Sequence, residues 1–232
     1  MHAKLEGVQA EIYDFLESAN AQLPGKDALY YGGQFLTGCL DRPDFLFAGI
    51  NPGFGADDWI GRPKTFQRRP FEAAPCKFIS EQEEGAPLAS DIVGVLLNDD
   101  ASRLARCAET SLVSVFATPG VPDLNRQLAA TGLQQRHGQL MKHAVEAILE
   151  ALRPKQVVCI GMTAHKAFTG TFGISQNQIA MKSVKSASGL SDPVYYKCSE
   201  FNGIPVHGVL IHRTAHPSRV MLDELRQIFK EL

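Results

Sequence analysis

No Cys-x-x-Cys pair occurs in the 232 residues, and the five cysteines, Cys39, Cys76, Cys107, Cys159 and Cys198, are odd in number and widely spaced. Zinc ribbons, thioredoxin-type redox centres and clustered iron–sulfur ligation therefore lack their signatures, and no metal is expected. Cys159 lies inside an apolar run, where a thiol is expected to be buried and inert. Long hydrophobic runs are also missing: nothing approaches the roughly 18 residues of a membrane span. The opening MHAKLEGVQAEIYDF is broken by Glu6 and Glu11, unlike the apolar core of a signal peptide, so a soluble, cytoplasmic protein with no membrane partner is expected. An excess of charge of either sign is absent too. Lys and Arg total 23 against 25 Asp and Glu, a formal net charge of −2, which argues against broad, tight, non-specific affinity for nucleic acid. Phosphate contacts confined to one site remain compatible with it.

What is present is ordinary for a globular chain: 44% hydrophobic and 21% charged residues. A chain of this length buries roughly 70% of its unfolded surface and needs no covalent staple. No repeat, low-complexity tract or linker interrupts it, so a single domain over residues 1–232, acting as a monomer, is the simplest expectation.

Leu5, Val8, Ile12, Phe15 and Leu16 recur at three- and four-residue intervals and predict an amphipathic helix that stops near Leu23-Pro24-Gly25. Four short, continuously apolar runs follow: Phe45–Ile50, Leu112–Phe116, Val157–Ile160 and Val206–Ile211. Continuous rather than alternating apolarity fits strands buried on both faces, as in a parallel sheet. Helical patterns separate the later runs, from about Arg136 to Leu152, from Thr163 to Phe168 with Thr163 as a candidate cap, and after Ser218, where Leu222, Leu225, Ile228, Phe229 and Leu232 form a stripe. Ile92–Leu97 is a further candidate helix, and Gln178–Lys182 with Val194–Lys197 a candidate hairpin. The alternation predicts an α/β fold, a three-layer α/β/α sandwich around a central, mostly parallel four-stranded sheet.

In such sheets ligands bind beyond the carboxyl ends of the strands. That selects four loops: Gly49-Ile50-Asn51-Pro52-Gly53-Phe54-Gly55, Phe116-Ala117-Thr118-Pro119-Gly120, Gly161-Met162-Thr163-Ala164-His165, and His212-Arg213-Thr214-Ala215-His216-Pro217-Ser218-Arg219. The glycines of the first do not make G-x-G-x-x-G, and Pro52 removes a backbone N–H that a pyrophosphate would need, so no dinucleotide cofactor is expected. A Walker pattern is absent. His165 and His212 read as packed or solvated side chains, and His207 as sheet surface.

GINPG after one hydrophobic strand and TAHPS after another, in this order, resemble the two active-site motifs of the uracil-DNA glycosylase superfamily. GINPG is similar to the first motif of the mismatch-specific and single-strand-selective branches, TAHPS to the second motif of the general uracil-removing branch. VVCIGMTAHKAF is similar to the third strand and helix of the latter. The likeness covers residues 42–55 and 108–232.

The resemblance implies hydrolysis of the N-glycosidic bond of a base flipped out of DNA, uracil or another deaminated or damaged base, without metal or cofactor, as in base excision repair. Asn51 matches the residue that orients the attacking water; an amide positions a water but is too weak a base to deprotonate it. His216 matches the histidine that donates a hydrogen bond to the oxygen of the departing base. Gly49, Ile50, Pro52, Phe54, Phe66, Phe116 and Thr118 fall around the base pocket. Phe66 is favoured among Phe54, Trp59, Phe66 and Phe71 as the aromatic platform. Gly53, Thr163, Pro217, Ser218, Arg219 and Val220 match positions that approach the DNA backbone or enter the duplex.

Two departures bear on the substrate. Phe116 stands at or beside a position that commonly carries a base-reading Asn, and phenylalanine cannot discriminate bases by hydrogen bonds; Thr118 is the available substitute. Val220 is a small wedge, which suits single-stranded or weakened sites. The bland alternatives are a strand-to-helix turn at Asn51-Pro52-Gly53 and a helix start at His216-Pro217-Ser218. Competing functions are a non-cleaving protein that binds a nucleobase or single-stranded nucleic acid, an enzyme acting on nucleosides or RNA, and, least supported, a nucleotide-cofactor enzyme.

Overall fold

The computed structural model describes residues 2–23, 29, 35–50, 68–112, 116, 121–183, 194–211 and 219–232. The chain falls into two compact units that alternate along the sequence: residues 1–36, 50–72 and 110–153 form one, and residues 37–49, 73–109 and 154–232 the other.

Helices dominate the first unit. α1 (His2–Asn20) buries Leu5, Val8, Ile12, Phe15 and Leu16, the stripe its periodicity predicts. α4 (Val121–Thr131) was not apparent in the sequence; α5 (Gln134–Leu152) was, and it buries Leu140, Ala144, Val145, Ile148 and Leu152. Lys4 pairs with Glu150, Glu11 with His143 at 3.6 Å, and Ser18 accepts a hydrogen bond from Arg136 at 3.1 Å, so α1 and α5 run antiparallel. α5 ends at Arg153, which adopts a left-handed φ of 47°, just before Pro154.

The second unit is built on a sheet, of which only Leu36, Thr110 and Ser111 at strand ends are counted in the first unit. Among the described residues the sheet has seven strands, β1 (Leu36–Gly38), β2 (Phe45–Gly49), β3 (Cys107–Ser111), β4 (Gln156–Ile160), β5 (Ala180–Ser183), β6 (Val194–Phe201) and β7 (Ile204–Val209), in the order β1-β3-β2-β4-β7-β6-β5. The molecule is therefore mixed α/β. β2, β4 and β7 pair in parallel, while β7–β6 and β6–β5 are antiparallel. Four strands is thus an undercount: β1 is too short to register as an apolar run, and the β5–β6 hairpin, foreseen by itself, continues the same sheet.

Strand β3 was not foreseen: it ends at Ser111, just before the expected run Leu112–Phe116, of which residues 113–115 lie outside the described residues. Cys107, Ala108 and Thr110 fill its buried positions without a long apolar run. Within the first unit the buried Thr110 hydroxyl donates to the Phe35 carbonyl at 2.7 Å, which removes the usual cost of burying a hydroxyl. By contrast β2 and β4 bury Phe45–Ala48 and Val157–Cys159 without interruption, as central parallel strands should.

One face of the second unit carries the core formed by Phe45, Phe47, Val158, Val209, Leu225 and Phe229, together with α2 (Lys77–Glu83), α3 (Pro87–Asp91) and a π-helical turn over Ile92–Leu96. α6 (Met162–Thr171) and α7 (Arg219–Lys230) complete this unit. All five cysteines are free thiols; Cys76, Cys107 and Cys159 are buried, and burial raises the pKa of each, to about 12 for the first two.

Candidate functional site

β2, β4 and β7 are consecutive parallel neighbours in register, with Ala48 beside Cys159 and Cys159 beside Gly208. Their carboxyl ends, Gly49, Ile160 and Val209, therefore lie on one edge of the sheet. Neighbouring strands are about 4.8 Å apart, so the ends of β2 and β7 are separated by about 10 Å. GINPG follows β2 and TAHPS follows β7 in the sequence.

Between those ends, the turn from β4 into α6 is held by backbone. Gly161 has φ 93°, a conformation open to glycine, and its N–H donates to the Val209 carbonyl at 2.7 Å. The turn after β4 is thereby tied to the end of β7. Gly161 also occupies the cap position of α6, with no side-chain capping bond. Thr163 is consequently not the cap; it sits one residue inside the helix and is exposed.

Of the other expected site residues, Gly49 closes β2 and Ile50 follows it half-buried. Arg219 and Val220 open α7 and are exposed, Val220 at 58%. Phe116 is fully buried in the first unit, its ring 5.7 Å from that of Phe15 and 5.9 Å from His137. Phe71, a weaker candidate for the platform, packs on Phe35 at 5.6 Å. Asn51, Pro52, Gly53, Phe54, Trp59, Phe66, Thr118, His212, His216, Pro217 and Ser218 lie outside the described residues. Arg68, which belongs to a basic run after the first motif, is not a free cation: its guanidinium donates to Glu17 at 2.9 and 2.7 Å and to Asp14 at 2.5 Å.

Two histidines of the second unit lie at the strand that leads to TAHPS, His165 packed against it and His207 within it. His165, on α6, is buried and lies 3.3 Å from the Ser199 hydroxyl through Nε2. Its side chain rests directly on Gly208, where an added Cβ would fall 2.6 Å from His165 Cβ and Cγ. His207 was expected on the sheet surface, but it is buried, because β4 and β6 flank β7 and Phe229 of α7 packs edge-on against the ring at 5.4 Å. Its Nδ1 lies 3.1 Å from the Tyr196 hydroxyl and its Nε2 has no partner. Burial lowers both histidine pKa values to about 4, so both are neutral at neutral pH.

A buried carboxyl escaped the sequence reading. Glu109 of β3 has a buried Oε2 without a hydrogen-bond partner, and burial raises its pKa to about 7, opposed by the nearby Lys77 ammonium. A mid-strand Glu between Ala108 and Thr110 gave no motif to notice. Among the described residues no group of three or more His, Cys, Asp and Glu side chains could hold a metal ion, and no helix is long and apolar enough to cross a membrane.

No protein-family model matches the chain, and no curated protein matches it.

Proposed function

We propose that this protein is a DNA glycosylase of the uracil-DNA glycosylase superfamily, which flips an altered base from DNA and hydrolyses its N-glycosidic bond. One observation carries the reading: the strands that precede GINPG and TAHPS are parallel, flank the same strand β4, and end on the same sheet edge about 10 Å apart.

In this reading the transition state carries positive character on the sugar and negative charge on the leaving base. Asn51 holds the attacking water by its amide, and His216 donates a hydrogen bond to the base oxygen as charge develops there. The exposed start of α6, at Thr163, and of α7, at Arg219, offer backbone N–H groups and a cation to DNA phosphates. The reading also carries a three-layer α/β/α arrangement in which β2, β4 and β7 are core strands, a monomer, and a soluble cytoplasmic setting.

The test is incubation of the purified protein with oligonucleotides bearing uracil, hypoxanthine, xanthine or a thymine mispair, single- and double-stranded, followed by alkaline strand cleavage. Base release is expected for at least one of them, and Asn51→Ala and His216→Ala should each lower its rate ~10²–10³-fold. Release that persists unchanged in both variants would overturn the assignment of the site.

Phe116 motivates a second reading. An apolar, fully buried side chain where a polar base-reading group is common suits a protein that holds a nucleobase or single-stranded nucleic acid without cleaving it. Salt-sensitive binding of single strands with no base release would favour that reading over the first.

A further inference from the structure

The opposite edge of the same sheet carries a concavity that the glycosylase reading does not use. It lies at the amino ends of β2 and β4, holds about 200 Å³, and is lined by Asp44, Phe45, Arg103, Arg106, Lys155 and Gln156, with Leu232 beside them. Two segments bring its cations together, the 3₁₀ turn Ala101–Arg106 supplying both arginines and the residue before β4 supplying Lys155; the residue before β2 supplies the acid, Asp44.

The charges in this concavity do not balance. Arg106 Nη2 and Lys155 Nζ both lie against a single carboxylate oxygen, Asp44 Oδ1, at 2.9 and 2.7 Å. One acid thus anchors two cations and neutralises only one. Backbone bonds fix this arrangement, the Asp44 N–H donating to the Arg106 carbonyl at 2.8 Å and the Lys155 N–H to the Pro43 carbonyl at 2.9 Å. Arg103 is placed differently. Its guanidinium carbon stands 5.6 Å from the centre of the buried Phe45 ring, and among the described residues no carboxylate lies within ion-pair distance of it. Stacking on an aromatic face holds a guanidinium while leaving its N–H edge free to donate.

We propose that this concavity is a binding site for a phosphate group, as inorganic phosphate or as the terminal phosphate of a nucleic-acid strand. The four charged side chains, Asp44, Arg103, Arg106 and Lys155, leave two positive charges over, close to the charge of a phosphate monoester at neutral pH and more than that of a carboxylate. Three cations converging from two segments, the 3₁₀ turn and the residue before β4, suit a tetrahedral anion with several acceptor oxygens, and charge-assisted bonds to phosphate are the strong ones. The volume suits a small anionic group rather than a drug-sized ligand, whose pockets run to roughly 300–1,000 Å³. Gln156 completes the polar lining, and its buried Oε1, which has no donor, can accept from the one P–OH that inorganic hydrogen phosphate keeps as a dianion. The site shares no residue with the proposed base-release machinery, so either idea can fail while the other stands.

The experiment is a titration of the full chain, followed by amide chemical shifts and by calorimetry, with inorganic phosphate, with acetate, and with a short oligodeoxynucleotide carrying either a 5′-phosphate or a 5′-hydroxyl. Phosphate should bind more tightly than acetate, with shift changes concentrated at residues 44–45, 103–106 and 155–156. Arg103→Gln should weaken phosphate binding at least about tenfold. A phosphorylated end that outcompetes inorganic phosphate identifies a strand terminus as the source; equal or weaker binding identifies the free anion. Phosphate binding no tighter than acetate, shift changes located elsewhere, or an Arg103→Gln protein that binds phosphate as well as the unaltered chain would overturn the proposal. The shift map needs no variant, so it decides the matter even if the substitution impairs folding.

Discussion

His165 and His207 meet opposite faces of one strand: His165 lies on Gly208 from α6, and His207 points to the α7 side, where Phe229 meets it. Each hydrogen-bonds a neutral hydroxyl and is surrounded by packed side chains, so protonation would place an uncompensated charge in the interior. An unfolded histidine titrates near 6.5, whereas these two, when folded, titrate near 4. Between those values the unfolded chain holds more protons than the folded one. Stability is therefore fully present above about pH 6.5 and is lost as the pH falls to about 4, by on the order of 3 kcal/mol for each such histidine as an upper bound. His137, buried in the first unit with an unpartnered Nε2, adds the same dependence there. The urea midpoint should fall between pH 7 and pH 4.5, the three histidines outweighing Glu109, whose raised pKa acts in the opposite sense over the same range, and His207→Phe should flatten part of that slope. A midpoint that does not move with pH over this range would show that these rings are protonated or solvated in the folded protein.

At the scale of elements, the approach of α6 to β7 is a tight constraint. Gly208 leaves no room for a methyl group, because the atoms it would meet are His165 Cβ and Cγ, close to the helix backbone rather than at a flexible tip. Gly208→Ala should cost about 1–3 kcal/mol, the usual range for overpacking a core, and lower the melting temperature by about 2–10 °C for a chain of this size. Adding His165→Ala should restore part of the loss, a coupling that calorimetry of the two single variants and the double variant would reveal. Gly38 is fixed for a related reason: its φ is 105° and a Cβ there would strike the Cys107 carbonyl oxygen at 2.2 Å. Elements with a strong period or an unbroken apolar run were legible in the sequence: α1, α5, β2 and β4 lie where their residues placed them, and β7 begins and ends two residues earlier than its apolar run. The elements that escaped owe their position to partners rather than to pattern. β1 has three residues, β3 uses Ala, Cys and a satisfied Thr in place of large apolar side chains, and α2 and α4 have no strong signal of their own. The candidate site divides the same way. The sheet edge that bears it follows from apolar runs readable in one dimension. The phosphate concavity does not, because Asp44, Arg103 and Lys155 are brought together only by the order in which strands enter the sheet.

For the whole molecule, the decisive fact is that the chain passes between its two compact units repeatedly, at residues 36/37, 49/50, 72/73, 109/110 and 153/154. The fragment 154–232 contains β4 to β7 with α6 and α7, but it lacks β2, the parallel neighbour on which β4 completes its pairing. An unpaired β4 would expose buried Val157, Val158 and Cys159 together with a row of open backbone groups. Expressed alone, that fragment should show poor amide dispersion and no cooperative unfolding; mixing it with residues 1–153 should restore both. Native-like spectra from the isolated fragment would show that β4 does not need β2. The interleaving also bears on descent. Each unit is assembled from three separate stretches of sequence, so no single segment of a gene encodes either one. A recombination event that exchanged one unit for another would have to replace three stretches at once and preserve every crossing between them. Substitution in place and insertion within loops meet no such requirement, since neither disturbs a crossing.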